Sequence, residues 1–172
     1  MNIFKNLFGE KKVSTQSVEA EEIWKKSASL MNESPDEAIG LFEQAIKIDP
    51  KHMKSYEYIV YVYRQVKGNP TKAIQVGLDA LKIDRKHPAL LEQIGKAYIE
   101  IGEFDRALKI FTKVKLEQAT TDTLGYLTPM YILIGQNKKA LKTDMLFNKK
   151  ARGQAMADYV LEQIKRAFVM RK

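Results

Sequence analysis

The sequence predicts an all-α fold, an α-solenoid of about four helix hairpins closed by a C-terminal capping helix. Three observations predict it. Helical periodicity dominates from about Ser17 onward, with no convincing run of alternating strand residues. Breakers interrupt that periodicity at intervals: Ser34-Pro35, Asp49-Pro50, Gly68-Asn69-Pro70, His87-Pro88, Gly102, Gly135 and Gly153. Ala38, Ala73, Ala107 and Ala140, each near the start of a segment, are separated by 35, 34 and 33 residues. A near-constant period of this length is the mark of a repeat architecture, in which no single hairpin buries its apolar face and stacked neighbours make one core.

Taken in order, the chain divides as follows. Residues 1–16 read as a flexible N-terminal segment in which Ile3, Phe4, Leu7 and Phe8 share one helical face beside Lys5, Lys11 and Lys12. That face is a candidate membrane contact, although one or two turns bind weakly without a second signal. The array spans 17–150, with hairpins at about 17–50, 51–85, 86–119 and 120–150. In the first, Ser34-Pro35-Asp36-Glu37 has the form of a capping box with proline at the first helical position. Trp24 and Ala28 lie on its first helix and Ala38, Phe42 and Ala45 on its second. The separation of Trp24 from Ala38 is two residues short and implies a truncated turn. The second hairpin carries Tyr56, Val60, Tyr63, Ala73 and Ala80. Asn69-Pro70 repeats the cap-plus-proline device, and Gly77 leaves either a hollow or a close contact. The third carries Leu91, Ile94, Gly95 and Tyr98, then Ala107 and Phe111. The fourth has Leu124, Leu127, Tyr131 and Ala140. Pro129 inside its first helix predicts a kink or a late start capped by Thr128. Residues 151–172 read as the capping helix, with Ala155, Tyr159, Ile164, Ala167 and Phe168 near one face.

Composition bounds the chemistry. The 172 residues include 29 Lys+Arg against 21 Asp+Glu, a net charge of +8, with 45% hydrophobic and 29% charged residues. Disorder and a polytopic membrane protein are excluded by that balance. With no cysteine, disulfides, thiolate zinc and cysteine nucleophiles are excluded as well. No segment approaches the roughly 18 apolar residues of a spanning helix. The N-terminus lacks a convincing secretory signal, so a cytoplasmic location is expected, with the inner face of a membrane as a further possibility.

The run PALLEQIGKAYIEIGEFDRALKIFTKV from Pro88, with Leu91, Gly95 and Tyr98 followed by Ala107 and Phe111, resembles the tetratricopeptide repeat. The resemblance covers about 18–150. It implies a right-handed superhelix whose first helices line a concave groove, and a non-catalytic scaffold or adaptor that holds a peptide or helix of another protein there. Carried onto this sequence, the groove-facing positions are Lys54, Tyr58, Tyr61, Arg64, Gln93, Lys96 and Tyr126. Tyrosine and arginine make good anchors, and the cations point to an acidic or aromatic-containing segment. The subclass that docks acidic chaperone tails needs a five-residue clamp. Lys25 fits it, while Ser29, Tyr58, Ala89 and Gln93 do not.

Catalytic signals are weak. His52 and His87 sit at inter-repeat turns and read as exposed turn residues. The sequence carries no phosphate-cradling loop, metal cluster or nucleophile motif, so no enzyme activity, cofactor or metal is expected. The charge is uneven, −5 over 13–50, +5 over 51–87 and +5 over 148–172. That polarity invites polar partners or head-to-tail self-association. An alternative reading is a nucleic-acid-associated or membrane-tethered adaptor using the basic C-terminus and the amphipathic N-terminus. Against nucleic acid, Tyr159 and Phe168 look committed to packing and leave no aromatics for base stacking.

Overall fold

A computed structural model describes residues 14–150. The N-terminal face of Ile3, Phe4, Leu7 and Phe8 and the capping segment 151–172 lie outside the described residues. Among those described, every regular element is helical. The helices are α1 (Thr15–Leu30), α2 (Pro35–Ile48), α3 (Met53–Tyr61), α4 (Pro70–Ala80), α5 (Pro88–Glu100), α6 (Phe104–Phe111), α7 (Thr121–Leu133) and α8 (Asn137–Lys150). Consecutive helices pair as α1–α2, α3–α4, α5–α6 and α7–α8, a solenoid-like array of four hairpins.

Local chemistry sets the boundaries. Ser14, Asn69 and Thr120 each accept a hydrogen bond from the backbone N–H three residues on, capping α1, α4 and α7. Pro35, Pro70 and Pro88 occupy the first helical turn, where a missing N–H removes no intrahelical bond. The turns inside the third and fourth hairpins need Gly102 and Gly135, at φ 76° and 73°, a region L side chains rarely adopt.

Packing follows the small residues. A Cβ on Gly77 would lie 2.5 Å from Ile94 Cγ1, and one on Gly95 would lie 2.5 Å from Phe111 Cε1. Of the two sequence options at Gly77, close contact is the one realised: α4 presses its backbone onto α5. A core of Val60, Ala73, Leu91, Ile94, Phe111, Leu124 and Phe147 runs through the later hairpins. A smaller core of Ala38, Ile39, Phe42, Ile59 and Val62 fills the first joint, and Tyr63 and Val76 pack against both. The buried Ser27 hydroxyl donates to the Ala38 carbonyl at 2.6 Å and ties α1 to α2.

Three local expectations are corrected. Ser34 precedes α2, but its side chain makes no capping bond. Its carbonyl instead accepts from the Ala38 N–H at 2.9 Å, so the capping box is not formed. The α1–α2 turn is not truncated, since four residues separate Leu30 from Pro35. Ala20 and Ser27, not Trp24, are the buried positions of α1, so spacing counted from Trp24 does not measure that turn. Helix α7 starts at Thr121, capped by Thr120, and continues through Pro129 without a late start at Thr128. The Thr128 hydroxyl donates to the Leu124 carbonyl at 3.0 Å instead. After Tyr61 the α3 backbone widens into a π-helical turn over Val62–Val66, which nothing in the sequence pattern announced.

Candidate functional site

The first helices α1, α3, α5 and α7 share a device that repeats with the period of the array. His52, His87 and Thr120 are the N-cap residues of α3, α5 and α7. Each faces a glutamate on the preceding first helix: Glu21 on α1, Glu57 on α3 and Glu92 on α5. The carboxylates therefore bridge successive hairpins. The histidines are not the exposed turn residues that their positions beside proline suggested. His52 is 8% exposed and His87 is half-buried, because an N-cap at a joint is covered by the neighbouring hairpin.

The three joints differ in how fully the carboxylate is satisfied. At the first, Glu21 Oε2 lies 3.0 Å from His52 Nε2, and Glu21 Oε1 accepts from the Lys54 ammonium at 2.8 Å. His52 Nδ1 lies 2.8 Å from the Ser55 hydroxyl, so both ring nitrogens are engaged. The Lys54 ammonium also sits 4.9 Å from the centroid of the Trp24 ring, a cation–π contact. Hydrogen bonds from Lys54, then from His52, hold the Glu21 carboxyl below its usual range against the opposing pull of burial.

At the third joint, Glu92 accepts from the hydroxyls of Thr120 and Thr123 and, at 2.8 Å, from the Lys96 ammonium. Lys96 also reaches Asp122 at 2.7 Å. Burial pulls Lys96 down, but the Asp122 and Glu92 carboxylates outweigh it and hold the ammonium above its usual range.

The middle joint is incomplete. The nearest partner of Glu57 is His87 Nε2 at 3.4 Å, longer than a good N–H···O bond, and among the described residues its carboxylate makes no hydrogen bond. His87 Nδ1 is buried with no partner. Burial pushes the Glu57 carboxyl up, with His87 and Lys54 only partly opposing it through space. Beside this carboxylate lies a hollow of about 240 Å³, lined by Met31, Glu57, Tyr58, Tyr61, Ala89 and Gln93.

Of the seven groove positions read from the sequence, Tyr58, Tyr61 and Gln93 line this hollow. Tyr61 is 37% exposed, whereas Tyr58 packs edge-on against Trp24 at 5.0 Å and tilted against Phe42 at 5.6 Å. Arg64, on the π-helical turn, donates from Nε to Gln93 Oε1 at 3.0 Å and from its guanidinium to Glu100. Lys54 and Lys96 are held by the carboxylates described above. Tyr126 stacks on Phe111, with ring centroids 5.6 Å apart and planes 7° from parallel. Glu57 and Met31 were not singled out in the sequence, and Ala89 entered only as a mismatch to the chaperone-tail clamp. The periodic spacing of Glu21, Glu57 and Glu92 was the signal that could have found the first of them.

A second hollow, of about 570 Å³, lies at the end of α4, the α4–α5 turn and the segment after α6, lined by Leu78, Leu81, Lys82, Arg85, Lys86 and Lys113. Among the described residues no group of three or more His, Asp or Glu is arranged to hold a metal ion. No described helix is long and apolar enough to cross a membrane.

Residues 90–125, from α5 through α6 into α7, match the family described as the tetratricopeptide repeat. No curated protein matches the chain.

Proposed function

We propose that this chain, a tetratricopeptide-repeat protein, is a non-catalytic scaffold that holds a peptide or helix of another protein against its first helices. Repeat arrays of this kind generally serve protein–protein interaction, and the observation that carries the reading here is the hollow between α1, α3 and α5 with Tyr61 exposed at its edge. Aromatic anchors around a concave apolar site are what such recognition needs. The acidic partner expected from Lys54, Arg64 and Lys96 loses its basis, because a carboxylate of the same chain already neutralises each of these cations.

Cross-linking pull-down with mass spectrometry tests the reading, comparing the full chain with Tyr61→Ala at matched thermal stability. A partner retained by the parent and lost by Tyr61→Ala supports it. An identical set of captured proteins with both contradicts it. The alternative of a nucleic-acid-associated or membrane-peripheral adaptor in the cytoplasm rests on residues 1–12 and 148–172, almost all of them outside the described residues. Liposome co-sedimentation with and without residues 1–12, and a nucleic-acid probe shift at low salt, address it.

A further inference from the structure

The middle joint differs from its neighbours at two positions. Three residues past the N-cap it has Leu90, where Ser55 and Thr123 supply hydroxyls to the first and third joints, and two residues past it the difference is one of charge. Two residues past the N-cap, the first joint has Lys54, the middle joint has Ala89 and the third has Asp122. Lys54 is the residue that satisfies Glu21 and lies over Trp24. At the third joint the ammonium on Glu92 comes from Lys96 instead. At the middle joint no lysine or arginine of the described chain bonds Glu57, and Ala89, in the place of Lys54, lines the hollow beside it. The chain therefore presents a half-buried carboxylate, tyrosine side chains and an apolar wall where its first joint has carboxylate, aromatic ring and lysine together.

We propose that the hollow at the α1–α3–α5 junction takes a lysine or arginine side chain from the bound partner, completing at the middle joint the bridge that Lys54 completes at the first. Its methylene stem lies along Met31 and Ala89, and its charge meets the Glu57 carboxylate among Tyr58 and Tyr61. The chemistry is charge complementarity in a partly desolvated site, where a cation–carboxylate hydrogen bond is stronger than a neutral one and an aromatic ring adds to it. Lys54, the cation that also bears on Glu57 through space, is engaged by Glu21. The raised affinity of Glu57 for a proton is the response expected of a carboxylate awaiting a cation. This inference rests on the groove reading above and reverses the partner charge that the sequence suggested.

The test is a titration of the ¹⁵N-labelled full chain with Nα-acetyl-lysine amide and Nα-acetyl-arginine amide, followed by backbone amide shifts. Nα-acetyl-norleucine amide, which keeps the stem and lacks the charge, and Nα-acetyl-glutamate amide run in parallel. Saturable shifts around Glu57 and Ala89 are expected with lysine or arginine, with norleucine about tenfold weaker. Glu57→Gln, a near-isosteric change, is expected to weaken the cationic probe by a similar factor. Ala89→Lys, at an exposed position that tolerates the longer side chain, is expected to abolish its binding. Norleucine or glutamate binding as well as lysine, lysine binding that survives Glu57→Gln, or no saturable shift at the hollow each overturns the proposal. A protein partner lost on Tyr61→Ala but unaffected by Glu57→Gln and Ala89→Lys leaves the groove reading standing and removes the lysine site. Probe binding with no partner dependent on Tyr61 does the reverse.

Discussion

At the α1–α3 joint Glu21 faces an imidazole at 3.0 Å and an ammonium at 2.8 Å, and its carboxyl is held below the usual range. One repeat later Glu57 faces a single imidazole at 3.4 Å, and its carboxyl is pushed above it. The backbone setting is the same in both: a glutamate on one first helix, an N-cap histidine on the next. What differs is Lys54 against Ala89 beside the carboxylate, and Ser55 against Leu90 beside the imidazole. A repeat architecture invites the assumption that equivalent positions do equivalent work. Here two neighbouring differences leave an open carboxylate beside a hollow where the first joint has a closed bridge, and it is this lapse in the ladder that we propose as the place for a partner's side chain.

The comparison can be broken most sharply by exchanging Lys54 and Ala89. Ala89→Lys is expected to abolish binding of a lysine probe at the middle joint, while Lys54→Ala opens a second probe site at Glu21 beside Trp24. Amide shift perturbation reads both, and a second site absent from Lys54→Ala contradicts the equivalence of the joints. Next in size is the asymmetry of the histidines. His52 is buried with both ring nitrogens engaged, so His52→Ala leaves Ser55 and Glu21 short of a partner and is expected to destabilise by about 1–3 kcal/mol. His87 has one distant contact and one orphaned nitrogen, so His87→Ala is expected to destabilise by roughly 1 kcal/mol or less. Urea denaturation of the two variants measures the difference, and equal losses contradict it.

The smallest effects lie in the pH dependence, where the two glutamates have opposite signs. The Glu21 carboxyl is lowered on folding, so its contribution is present above the unfolded value near 4.5 and is lost as pH falls through the lower folded value. Glu21→Gln is expected to lower the thermal midpoint at neutral pH, by an amount equivalent to about 0.2–1 kcal/mol, and to change little in acid. The Glu57 carboxyl is raised, so the contribution of its neutral form is present below 4.5 and disappears as pH rises through the folded value. Glu57→Gln is therefore expected to leave the midpoint unchanged or raise it at neutral pH. A fall matching that of Glu21→Gln removes the distinction.

Most of the fold was legible because it depends on periodicity. The spacing of Ala38, Ala73, Ala107 and Ala140 placed the second helices, and Asn69-Pro70 announced a cap that forms. Features set by a competition between neighbours were not legible. Ser34 has the residue type of a cap yet makes no capping bond, and Thr120 rather than Thr128 begins α7. The cations of the expected groove were read by residue type alone. Lys54, Arg64 and Lys96 look like free cations when residues are counted by type. Whether each is free depends on a carboxylate that lies 33 residues earlier for Lys54, 36 later for Arg64 and 4 earlier for Lys96, and that the fold brings within about 3 Å. Glu57 was overlooked for the converse reason: an ordinary glutamate in the sequence becomes distinctive only when its equivalents are seen to be satisfied and it is not.

The most direct measurement is the carboxyl titration of Glu21 and Glu57 in one sample by carbon-detected NMR, with and without Nα-acetyl-lysine amide. Glu21 titrating below the ordinary glutamate range, Glu57 above it, and Glu57 alone falling when the probe is added is the predicted result. Two glutamates titrating together, or a Glu57 that does not respond to the cation, would contradict the account.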